Sequence, residues 1–96
     1  MAITSYAKQA TDAEKHAASV FLRLCNEARG RRGLRPVAIG GKAKSVRRAL
    51  HGYFHVGLTL RVALGALRDA ESAGDNELLH PTRLAKMALN GTASDA

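Results

Sequence analysis

Apolar residues recur at helical spacing over most of this chain. Ala13, Ala17, Val20, Phe21, Leu24 and Ala28 share one face of a helix, because residues three and four apart lie one above another. Thr11-Asp12-Ala13-Glu14 precedes them as a capping box, in which the hydroxyl and the carboxylate satisfy each other's backbone N–H. Gly30 stands where a helix-ending glycine belongs, so the pattern predicts a helix over about 12–29. His16 and Cys25, on or beside the apolar face, read as packing residues.

Gly30-Arg31-Arg32-Gly33 then reads as a loop. Pro36 followed by Val37-Ala38-Ile39 and Gly40-Gly41 predicts a short strand or extended segment. The glycine pair lacks the Gly-Lys-Ser/Thr ending of a phosphate loop. From Lys42 to Gly57 the helical period returns. Val46, Ala49, Leu50, Tyr53 and Gly57 point one way, whereas Lys44, Arg48, His51 and His55 point the other, with Arg47 on the flank. Residues 58–64 alternate like a strand, yet Leu60, Ala63, Leu64 and Leu67 fit a helix continuing past a bend at Gly57 and interrupted at Gly65. Residues 69–77 are acidic and turn-rich. Pro81 suits a first helical position. Leu84, Ala85, Ala88 and Leu89 form a last stripe that Asn90-Gly91 closes. These boundaries predict a partly ordered segment over 1–10, a single domain over 11–91 and a disordered tail over 92–96.

Charge changes this picture most. The chain carries a net +7. Over 1–28, Lys8, Lys15 and Arg23 balance Asp12, Glu14 and Glu27. Over 49–96, Arg61, Arg68, Arg83 and Lys86 face Asp69, Glu71, Asp75, Glu77 and Asp95. The excess therefore sits in 29–48, where Arg29, Arg31, Arg32, Arg35, Lys42, Lys44, Arg47 and Arg48 meet no acid. One sign concentrated in one stretch raises the local potential and attracts polyanions, of which phosphate backbones are the commonest.

Other chemistry is sparse. A lone cysteine, Cys25, permits no intrachain disulfide and fits a reducing compartment. His51 and His55 have the spacing of a metal pair, but Gly52 stands where a metalloprotease has its glutamate. No metal or other cofactor is expected. No nucleophile–base pair or carboxylate pair stands out, so the chain reads as a non-enzyme. No leader and no membrane-length apolar run appears, and the expected location is cytoplasmic. The only aromatics are Tyr6, Phe21, Tyr53 and Phe54, too few for the stacking platforms of single-strand binders.

Three segments carry a family resemblance. Arg35-Pro36-Val37-Ala38-Ile39-Gly40 resembles the Arg-Pro-aliphatic-x-Ile-Gly segment of the FinO/ProQ family of bacterial RNA chaperones. Val46-Arg47-Arg48-Ala49-Leu50-His51-Gly52-Tyr53 resembles that family's next helix, and Gly65-Ala66-Leu67-Arg68 its Gly-Ala-x-Arg turn. The likeness covers residues 14–89. Arg47, Tyr53 and Arg68 match residue by residue, with Lys44 close to an expected Lys. Thr59 stands where the family has a tyrosine, His51 where it has an arginine, and Gly40-Gly41-Lys42-Ala43 forms a shorter bridge.

The resemblance implies a mostly α, compact single-domain fold with a short β-hairpin. It also implies binding to structured RNA, a hairpin stem and its 3′ tail, in post-transcriptional regulation. Arg31, Arg32, Arg35, Lys42, Lys44, Arg47, Arg48, His51, Tyr53 and Arg68 are the expected RNA-binding residues. On the residues alone two other classes stay open. One is a small DNA-binding regulator from a mobile element, with the helix from Lys44 in a major groove. The other is a basic protein–protein or inhibitor module.

Overall fold

The computed structural model describes residues 10–38 and 44–95. Among them are four α-helices: α1 (Asp12–Arg31), α2 (Lys44–His55), α3 (Leu60–Ala73) and α4 (Pro81–Asp95). The capping box at the start of α1 is formed. Thr11 N donates to Glu14 Oε1 at 2.8 Å, and Glu14 N donates to Thr11 Oγ1 at 3.1 Å. Pro81 opens α4 and is fully buried.

No strand occurs among the described residues, which gives the expected β-hairpin no support. Residues 34–38 are held in another way. Asn26 Nδ2 donates to Val37 O at 3.1 Å, and Val37 N donates to Asn26 Oδ1 at 2.7 Å. A side-chain amide of α1 thus satisfies both backbone groups that a partner strand would have satisfied. Ile39, Gly40, Gly41 and Lys42 lie outside the described residues.

Helix ends differ from the pattern for a shared reason. Leu34 N donates to Arg29 O at 2.8 Å, Leu58 N to Tyr53 O at 3.0 Å, and Asp75 N to Ala70 O at 3.2 Å. Each bond wraps past a glycine of positive φ: Gly33 at 72°, Gly57 at 123° and Gly74 at 71°. A side chain resists that conformation, which is why glycine serves there. At the end of α1 the glycine used is Gly33 and not Gly30, so Arg31 belongs to the last helical turn instead of a loop. The helix expected to bend at Gly57 stops there, and Thr59 caps a new one by accepting from Val62 N at 3.3 Å. Gly65, expected to interrupt, lies inside α3, and the Gly65–Arg68 run forms no turn. The last helix runs past Asn90-Gly91 to Asp95.

Packing sets which faces are buried. α1 and α4 each pack against both α2 and α3, whereas α2 and α3 barely touch and α1 meets α4 only marginally. The helices thus form a square, with α2 and α3 at opposite corners. The core joins Phe21, Leu22 and Cys25 of α1, Leu50 and Phe54 of α2, and Leu84 and Ala85 of α4, with Leu79 from the preceding loop. Phe21 and Phe54 meet edge to face, ring centres 6.2 Å apart at 73°, a contact worth about 0.5–1.5 kcal/mol beyond its area.

A helix with two neighbours buries a wider arc than a single stripe. On α1 the buried set is Ala18, Phe21, Leu22, Cys25 and Ala28, while Ala13 and His16 are exposed. On α2 the buried residues are Leu50 and Phe54; Val46, Ala49 and Tyr53 are only half-buried, and Gly57 is in the exposed turn.

Candidate nucleic-acid interface

The basic stretch divides into two groups. At the end of α1 the arginines are engaged within the chain. Arg29 Nε donates to Arg35 O at 2.7 Å, and its Nη1 donates to Leu79 O. Arg31 grips the Glu71 carboxylate of α3 with both prongs, Nε to Oε2 at 2.8 Å and Nη2 to Oε1 at 3.0 Å. That pairing raises the Arg31 pKa and lowers the Glu71 pKa. Arg32 Nε donates to Asn76 Oδ1. Arg35 is exposed. The expected arginine loop is therefore an ordered helix end whose guanidiniums hold the last turn of α3 and the α3–α4 connection.

The second group lies on α2. Arg47 and Arg48 are exposed and enter no ion pair among the described residues. No acid occurs anywhere in α2. Lys44 opens the helix, and Lys42 lies outside the described residues. His51 and His55, expected on the outward stripe, are half-buried because α2 is flanked by both α1 and α4. His55 Nδ1 lies 3.3 Å from Glu14 Oε1 across the α1–α2 seam. Burial, followed by the charges of Arg47 and Lys15, lowers the His51 pKa. Burial and these charges thus favour the neutral His51 ring, which can donate or accept a hydrogen bond.

Lys15, exposed on α1, joins this group. No linear spacing marks it, since only the packing of α2 on α1 brings it to His51. Tyr53 is half-buried against the core. Arg68 is exposed on α3, in a shallow recess of about 220 Å³ shared with Arg31, Glu27, Glu71 and Leu64. Arg47 and Arg68, both expected RNA contacts, therefore sit on opposite corners of the helical square, and Arg68 has acids beside it. Thr59, at the position of the family's tyrosine, is spent on capping α3.

Among the described residues no three side chains gather as metal ligands, and burial pushes the Cys25 thiol up to about 12, far from a reactive thiolate. No helix there is long and apolar enough to cross a membrane. Comparison with protein-family models, curated proteins and solved structures finds no match to this chain.

Proposed function

We propose that this chain is an RNA-binding module that grips structured RNA through its phosphates, with α2 as the centre of the interface. The observation that carries this reading is the exposed Arg47–Arg48 pair on a helix without any acid. Arginines meant only for solubility are normally interspersed with acids; between Glu27 and Asp69 this chain has none. Lys15 and His51 extend the same face, and the FinO/ProQ resemblance of 46–53 falls on the same helix.

The partner's form follows from what the face lacks. Phe21 and Phe54 are buried and Tyr53 is half-buried, so no fully exposed Phe or Tyr ring among the described residues is offered for stacking. A-form duplex is bound by shape, phosphate and 2′-hydroxyl contacts and needs no such ring. A stem is therefore a better ligand than a bare single strand.

Fluorescence anisotropy with a labelled RNA hairpin, with and without a 3′ tail, tests this across salt concentrations. Arg47→Ala and Arg48→Ala should each weaken binding and each reduce the salt slope by about one. Unchanged affinity in both variants would sink the interface. A second reading has one observation in its favour. The short turn 56–59, with Gly57 at positive φ, joins α2 to α3 with the length of a helix-turn-helix connection. Against it, α2 and α3 barely touch, and α3 carries Asp69 and Glu71. Duplex DNA outcompeting the RNA hairpin would favour that reading.

A further inference from the structure

A second concentration of donors lies away from α2, where the end of α1 meets the start of α4. Arg29, Glu77, His80, Thr82 and Arg83 line an open recess of about 590 Å³. The Arg29 guanidinium is fixed there by its bonds to Arg35 O and Leu79 O. Arg83 is fixed by donating from Nη1 to Glu77 O at 3.2 Å. A guanidinium has five N–H donors, so each keeps several after these bonds.

The imidazole adds another donor. Thr82 N donates to His80 Nδ1 at 3.3 Å, and Thr82 Oγ1 lies 2.9 Å from the same atom. With Nδ1 accepting, the neutral ring carries its hydrogen on Nε2. Burial first, then the charges of Arg29 and Arg83, lowers the His80 pKa and so favours the neutral ring. Two guanidiniums thus lie close enough to one imidazole for both to bear on it. The opposing charge on the lining is Glu77, which is exposed.

We propose that this recess binds a phosphate group, free or ester-linked, between Arg29, His80 and Arg83. The remaining donors match a ligand rich in acceptors and negatively charged. A tetrahedral oxyanion offers several acceptor oxygens to guanidiniums that approach from different elements. The space exceeds one phosphate, so a monoester enters with part of its alcohol. This site does not rest on the RNA reading, because it shares no residue with the α2 face.

The test is NMR on the full chain, following the His80 ring while inorganic phosphate replaces chloride at constant ionic strength. A saturable shift of the His80 resonances is expected. Arg83→Gln should weaken it at least several-fold, Arg83→Lys less. Glu77→Gln should tighten it by roughly two- to fivefold, the usual reach of an exposed charge. The rest of the spectrum, unchanged in each variant, verifies the fold. No saturable shift, or one that Arg83→Gln leaves intact, overturns the proposal. Repeating the titration with a short oligoribonucleotide, with and without a 5′ phosphate, identifies the source. Tighter binding of the phosphorylated strand than of inorganic phosphate assigns the site to nucleic-acid ends. Equal binding assigns it to free phosphate. Hairpin binding through Arg47 and Arg48 should be unaffected by Arg83→Gln.

Discussion

Arg31 and Arg48 look alike in the sequence, the one first and the other second of an arginine pair in an acid-free stretch. Their surroundings differ entirely. Arg31 makes a two-pronged pair with Glu71, whose side chain is 26% exposed, whereas Arg48 stands in solvent without an acid nearby on its helix. A phosphate must compete with a carboxylate at the first and with water alone at the second. Glu71→Gln removes the competitor. It should tighten RNA-hairpin binding by roughly two- to fivefold, and the gain should vanish in the Glu71→Gln, Arg31→Ala double variant. An anisotropy titration of both would show it. The arginines themselves were legible from sequence. Their availability was not, because Glu71 and Asn76 come from a distant part of the chain and only folding brings them to Arg31 and Arg32. The same holds for Lys15, which joins the α2 face through packing.

Among the elements, local chemistry is legible in the sequence where one residue type has one role. The Thr11–Glu14 box starts α1 as expected, and Pro81 starts α4. Glycines were harder, since the residue both ends helices and sits inside them. Gly30 and Gly33 differ by three positions, and only the wrap of Leu34 onto Arg29 decides between them. Gly65 lies mid-helix with nothing within 4 Å of where a Cβ would be. Gly65→Ala should therefore add about 0.5–1 kcal/mol to stability. For a domain of this size that is a rise of about 2–8 °C in Tm, measurable by calorimetry; a drop would mean that α3 needs the glycine for a reason other than space. The buried faces of α1 and α2 are rotated from the stripe that the spacing predicts, because a single stripe assumes one neighbour and each helix has more than one here.

For the whole molecule, acid acts in one direction. His51 and His80 have folded pKa values below 6.5, chiefly through burial. Folding favours their neutral forms, so stability is complete above 6.5 and falls as pH drops below it. Glu14, which accepts from Thr11, and Glu71, held by Arg31, have pKa values below 4.5. Their contribution is present above 4.5 and is lost as pH falls further. Denaturant midpoints should thus decline in two stages on acidification, first below about 6.5 and again below about 4.5. His51→Gln should shrink the first stage alone. A midpoint that rises between pH 7.5 and 5.5 would contradict this account.

Cys25 has one more consequence. It is fully buried in the core, and the chain has no other cysteine. A thiol reagent can reach it only in molecules that have opened the helical square, so the modification rate under native conditions counts openings. The protein carries its own clock for unfolding. A cysteine introduced at an exposed position would take a dye or spin label alone, with the native thiol silent until the domain comes apart.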